Sequence, residues 1–159
     1  MKYAVASLGL LGLLLSSCTS YDKTQLLEIV ELPVKSTKSY DWSWHNSSLR
    51  AHSQYIFYGA NTSKERIARL GDYYYVTWYD HDPTQEITVH MYYTQSATGS
   101  KILAKTETIK APREKTGKHK HLFFFNGAER AQRGDILSWK MDIYAGDTLL
   151  DSKQSYLWQ

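Results

Sequence analysis

The sequence predicts an all-β protein, an antiparallel sandwich of about seven or eight strands, and three features carry that expectation. Aromatic residues are dense, with 13 Tyr, 5 Trp and 4 Phe in 159 residues, and aromatic and β-branched side chains fit pleated surfaces. Apolar residues recur at every second position in several stretches, which is the period of a strand. Turn signals built from Gly, Asp, Asn and Pro separate those stretches at regular intervals, and few segments show helical patterning. A small closed β-barrel is the alternative, because strand number alone does not separate it from a sandwich.

The elements follow in order. Met1-Lys2 gives a positive start, and Tyr3 to Leu15 is an uncharged, largely apolar run of 13 residues. A bilayer core demands roughly 20 such residues, so the run reads as the centre of a signal peptide rather than a membrane span. Residues 19–25 are polar and read as a tether. Leu26 to Val34 reads as a first strand ended by Pro33, although Leu26, Leu27, Ile29 and Val30 also fit a short helix. Ser36 to Ser48 is turn-rich and, if extended, puts Trp42 and Trp44 on one face. Gln54 to Tyr58 reads as a short strand broken by Gly59-Ala60-Asn61. Thr62-Ser63-Lys64-Glu65 has the form of a capping box, and Gly71 could close the helix behind it. An edge strand over Arg66 to Leu70, feeding a turn at Gly71-Asp72, competes with that helix.

Beyond residue 72 the pattern is clearer. Tyr73 to Tyr79 is a run of β formers with Val76 and Trp78 on one face, and His81-Asp82-Pro83 is a turn. Ile87, Val89, Met91 and Tyr93 alternate with Thr88, His90 and Tyr92. Ile102 to Ile109 follows the turn Ala97-Thr98-Gly99-Ser100 as a weaker, more polar strand suited to an edge. His119 to Phe125 is a strand. After Gly134-Asp135, Leu137, Trp139, Met141 and Ile143 form one face, while Ser138, Lys140 and Asp142 form the other. Ala145-Gly146-Asp147 makes a hairpin turn, and Leu149 to Trp158 returns. The organisation expected is a leader over 1–17, a tether over 18–25 and one domain over 26–159.

Leu15-Ser16-Ser17-Cys18 resembles the lipobox of bacterial lipoproteins. The resemblance implies removal of the leader, diacylation of the Cys18 sulfur and a membrane partner reached through that lipid. More than one acyl chain makes such an anchor durable. Cys18 is the only cysteine, so no disulfide partner competes for it in an oxidising compartment. Thr19, rather than Asp, comes next, and within the lipoprotein pattern this implies the outer membrane. Residues 70–158 resemble immunoglobulin-like and fibronectin-like domains in strand spacing, with the last hairpin matching their final strand pair. The cysteine pair of true immunoglobulin domains is missing, and Trp78 or Trp139 is the candidate for the buried central Trp.

Loss of Lys2 with the leader lowers the formal net charge from +3 to +2, too weak a balance for a dedicated nucleic-acid surface. The basic stretch Lys110 to Lys120 reads as a solvated loop between strands. Its second reading is contact with anionic lipid headgroups or an acidic polysaccharide.

Candidate sites are few. Asp80-His81-Asp82 has the residue types for a divalent cation, but neighbours on a strand point opposite ways, and Asx-turn chemistry explains it better. His119 and His121 are two apart and share a strand face; with His90 as third ligand they would make a zinc or copper site. No nucleophile elbow, phosphate loop or dinucleotide fingerprint occurs, and no cofactor is implied. Arg133-Gly134-Asp135 reads as a tight turn rather than an adhesive tripeptide, and Asn46-Ser47-Ser48 and Asn61-Thr62-Ser63 read as polar turns. Tyr73, Tyr75 and Tyr79 lie opposite Val76 and Trp78. They form either a ligand platform rimmed by His90 or Lys140, or a ladder covered by a second layer drawn from Tyr40 to Tyr58. The covered ladder is preferred, because that aromatic-rich segment needs a surface to pack on. The expectation is a membrane-anchored envelope module that binds a protein or glycan without catalysis. The alternative is a metal-binding protein or metal-dependent enzyme built on the three histidines.

Overall fold

The computed structural model describes residues 21–37 and 46–158. Cys18, the leader, Tyr40, Trp42 and Trp44 lie outside them. Among the described residues seven antiparallel strands form two sheets. One has the order β1 (Gln25–Glu31), β2 (Gly71–Asp80), β5 (Gly117–Asn126). The other has the order β4 (Leu103–Ile109), β3 (Ile87–Gln95), β6 (Ile136–Ala145), β7 (Thr148–Gln154). Among the described residues the sheets do not join into a barrel, and the fold is an all-β antiparallel sandwich. Helices α1 (Ser47–Phe57) and α2 (Ser63–Ala68) lie between β1 and β2 in the chain, and α3 (Gly127–Arg133) lies between β5 and β6.

The core is the set of side chains that strand alternation points between the sheets. Tyr74, Val76 and Trp78 of β2, with Phe123 and Phe125 of β5, meet Ile87, Val89, Met91 and Tyr93 of β3 and Met141 and Ile143 of β6. Trp78 is the central buried tryptophan, whereas Trp139 is half-buried and meets Tyr74 edge-on. The face expected for β6 needs one correction. Thr94 pairs with Ser138 and Gln95 with Ile136, so Leu137 is the extra residue of a bulge. Ile136 takes the inward place and Leu137 is exposed, since the extra residue of a bulge breaks the alternation of facing along its strand.

Each open seam of the sandwich is bridged by a lysine. At one seam Lys105 Nζ of β4 donates to Phe124 O of β5 at 2.6 Å and to Glu129 of α3 at 2.8 Å. At the other, Lys153 Nζ of β7 donates to Leu27 O of β1 at 2.7 Å, and Leu26 N donates to Asp151 Oδ2 at 2.8 Å. Edge strands carry unpaired backbone groups, and charged side chains here satisfy some of them while blocking continuation of the sheet. Residues Tyr21 to Thr24 already dock on the domain: the Tyr21 ring lies tilted against that of Tyr79, with centroids 4.8 Å apart, and Thr24 Oγ1 accepts from His81 N.

Both ends are closed by charge. Arg113 donates to buried Asp80 at 2.6 Å and to the carbonyls of Asp82 and Gln85. At the opposite end Lys35 bridges Asp72 and Asp135, and Arg130 meets the same two carboxylates.

The helices hold the larger departures from the sequence reading. Gln54 to Tyr58 is not a strand but the last part of α1 and its C-cap Tyr58; the N-cap Asn46 accepts from Leu49 N. The capping box at Thr62 and Glu65 is present and starts α2, which removes the edge-strand reading of Arg66 to Leu70. Gly71 and Asp72 are the first residues of β2 rather than a turn. Helix α3 had no counterpart in the sequence reading; Glu129 in its first turn and Arg130 and Arg133 in its last suit the helix dipole.

Candidate functional site

The outer face of the three-stranded sheet is unusually apolar for a surface. Alternation sends Tyr73 and Tyr75 outward from β2 and Leu122 and Phe124 outward from β5, with Val30 of β1 beside them. Such a face needs a second layer, and α1 supplies part of it. His52 and Phe57 are the buried residues of the helix, and Phe57 packs with Tyr73 and Val34. Arg69 fixes the helix end by donating to Ile56 O at 2.8 Å and Tyr58 O at 2.7 Å. The tyrosine ladder is therefore split. Tyr73 is only 3% exposed and donates to Arg69 O at 2.6 Å. Tyr75 is half-covered, and Tyr79 lies at the far end against Tyr21. The flat platform of Tyr73, Tyr75 and Tyr79 is corrected accordingly: α1 lies across it, and His90 and Lys140 cannot rim it because they stand on the outer face of the other sheet.

Between α1 and the sheet runs a groove of about 650 Å3. Val30, Leu32, Leu122 and the ring of Tyr75 form its floor, and Ala51, His52 and Tyr55 form its helical wall. Lys120 places its ammonium 4.5 Å from the centre of the Tyr75 ring, a cation–π arrangement that keeps the charge at the groove. His52 is 7% exposed, meets Tyr73 and Tyr75 edge-on, and shares a 3.3 Å hydrogen bond through Nδ1 with the Tyr75 hydroxyl. Its Nε2 is buried without a hydrogen-bond partner. Burial also lowers its pKa, so the ring is neutral near pH 7. Among the described residues no carboxylate lines the groove. Tyr55 is 70% exposed at the rim. A second hollow of about 470 Å3 lies beyond α1, against Tyr58 and Phe124.

The outer face of the four-stranded sheet is different. His90 lies parallel to Tyr92 at 5.8 Å and edge-on to Tyr144 at 5.4 Å, with Nδ1 2.9 Å from Thr106 Oγ1. Buried Asp142 accepts from Lys140 Nζ at 2.9 Å and from Ser152 Oγ at 2.6 Å. The hydrogen bond from Lys140 raises that lysine's pKa.

The three histidines do not converge. His119 and His121 point inward from β5, where His119 stacks on Trp78 and His121 meets Phe123 edge-on. His90 projects from the outer side of the opposite sheet, because it alternates with the core residues Val89 and Met91. Among the described residues no group of three His, Cys, Asp or Glu is placed to hold a metal ion. Asp80, His81 and Asp82 also diverge: Asp80 pairs with Arg113, and Asp82 Oδ1 accepts from Thr84 N in an Asx turn. In Arg133-Gly134-Asp135, the aspartate is bound by Lys35 and Arg130, and Gly134 has φ +78° where a Cβ would collide with Ser96. Both Asn-x-Ser/Thr stretches serve helix starts, through Asn46 and Thr62.

The sequence reading missed His52 and Lys120. The signal for Lys120 was present: if His119 and His121 share one face of β5, Lys118 and Lys120 share the other. His52 gave no signal, because an imidazole is not counted among the apolar residues that mark a helix face. The chain matches no family model, no curated protein and no solved structure.

Proposed function

We propose that this chain is a lipid-anchored module of the bacterial cell envelope, tethered through Cys18 and binding a glycan in the groove beneath α1. The observation that carries the reading is the composition of that groove. It has an aromatic and aliphatic floor, one fixed cation, a neutral buried imidazole and two phenol hydroxyls. A sugar ring presents the complement, with an apolar face for Tyr75 or Tyr55 and hydroxyls for the polar groups. The lipobox resemblance supports the anchor and the outer-membrane address.

Retention on immobilised envelope polysaccharide tests the binding half. Tyr55→Ala removes an exposed ring and should abolish retention while leaving the melting temperature unchanged. Retention that survives Tyr55→Ala and Lys120→Ala together would overturn the groove as the site. Fractionation tests the tether: Cys18→Ala should move the protein out of the membrane fraction, and a variant that stays there after detergent-free washing would refute the anchor.

The patch of His90, Tyr92 and Tyr144 supports a second reading, in which a protein partner docks on the four-stranded sheet. Tyr144→Ala, with cross-linking to envelope proteins as the readout, distinguishes it from the glycan reading.

A further inference from the structure

We infer that the glycan is an acidic linear polysaccharide lying along β5, its carboxylates meeting Lys118 and Lys120 in turn. This rests on the glycan reading of the groove and narrows it to one ligand class.

The charge around the groove has one sign. Among the described residues its lining holds the ammonium of Lys120 and the imidazole of His52, and no carboxylate. The two lysines are exposed neighbours on one face of β5, two residues apart. That separation is roughly 7 Å along a strand. Each ammonium rests over a tyrosine ring, Lys118 over Tyr21 at 5.9 Å and Lys120 over Tyr75 at 4.5 Å. Among the described residues neither lysine forms an ion pair, in contrast to Lys35, Lys105 and Lys140. The unit of ring plus ammonium is therefore repeated along the strand, and both charges are available.

A repeated ligand fits a repeated site. A chain of uronate-type rings carries one carboxylate per sugar, so successive rings can lie against Tyr75 and Tyr21 while successive carboxylates reach Lys120 and Lys118. Glu28 is exposed on β1 opposite Thr77, and its charge steers an anionic chain to the β5 side. An anionic bilayer suits the site less well. Helix α1 stands on the same sheet face beside Lys120, and a helix about 10 Å across obstructs a flat surface that a single chain can pass.

The test is calorimetric titration of the protein with oligomers of galacturonate, mannuronate and glucuronate, each against its methyl ester. Esterification keeps the rings and removes the charge. At least one acid should bind, and its ester should bind at least ~10-fold more weakly, the loss expected from removing charge-assisted contacts. Lys118→Ala and Lys120→Ala should each weaken the acid by about 3–10-fold without changing the melting temperature, and added salt should weaken it further. Equal binding of acid and ester, or retention of neutral glycans alone, overturns the acidic ligand and leaves the glycan reading standing. Binding of no glycan at all removes both. Binding to phosphatidylglycerol vesicles in place of every oligosaccharide assigns the lysines to a membrane surface and overturns the inference.

Discussion

The two outer faces of the sandwich both carry tyrosines and lysines, yet among the described residues only one carries a helix. On the four-stranded sheet the outward side chains satisfy one another: Asp142 takes Lys140 and Ser152, and His90 takes Thr106. Threonines at 88, 106 and 108 fill much of the remainder, and that face needs no cover. On the three-stranded sheet the outward residues include Val30, Leu122 and Phe124, whose side chains have no polar group to satisfy and are unfavourable in water, and the ring of Tyr73 beside them. Helix α1 covers the Tyr73 end, and its incomplete coverage leaves the groove. A partly covered apolar face beside a fixed cation has unsatisfied apolar area and charge to offer a ligand, in a way that a self-satisfied polar face does not.

The largest expected effect separates the faces by stability. Tyr73→Ala removes a buried ring and leaves Asn126 and Arg69 O without their hydroxyl partner. Truncation of a buried aromatic costs about 3–5 kcal/mol, which lowers the melting temperature of a domain this size by roughly 10 °C or more. Tyr92→Ala on the bare face should change stability by no more than about 0.5 kcal/mol. Comparable losses for the two variants, read by calorimetry, would break the contrast.

The next effect is one of pH. Burial pushes the pKa of His52 down, and it does the same to His121, with Glu107 partly offsetting it. In the unfolded chain both titrate near 6.5. The unfolded state thus binds more protons below that value, and stability falls as pH drops through it. The melting temperature should be lower at pH 5.5 than at pH 7.5, and His52→Gln should shrink the difference. The carboxylates held low by their partners, such as Asp82 and Asp135, lose their contribution only in more acid solution, so this window isolates the histidines. A melting temperature unchanged between the two pH values would show that His52 is not held neutral under α1.

The smallest effect is at Leu137. Because the bulge turns it outward, Leu137→Ser should cost no more than about 0.5 kcal/mol. A loss several times larger would place it back in the core.

What the sequence made legible is what strand period and local chemistry encode. The alternation of Ile87, Val89, Met91 and Tyr93 defines β3, and the Gly146-Asp147 hairpin, with Gly146 at φ +55°, joins β6 and β7. The capping box at Thr62 and Glu65 marks α2 because its signal lies within four residues. Helix α1 was not legible. Tyr55, Ile56, Phe57 and Tyr58 are individually β formers, and the helix is held by tertiary packing on Tyr73 and Tyr75, which overrides local preference. The bulge at Leu137 depends on pairing across the sheet, so the β6 sequence alone reads as unbroken alternation. The expectation of a covered ladder did succeed at Tyr73, from composition: an aromatic segment next to an aromatic strand has few other surfaces to bury.

The central claim is that the helix-covered face binds the ligand and the bare face does not. Backbone amide shift mapping with an acidic oligosaccharide tests this directly on both faces at once. The account predicts perturbations at Val30, Ala51, His52, Tyr75, Lys118 and Lys120, with Tyr92, Lys140 and Tyr144 unmoved. Perturbations centred on Tyr92 and Tyr144, with the amides around α1 silent, would contradict it.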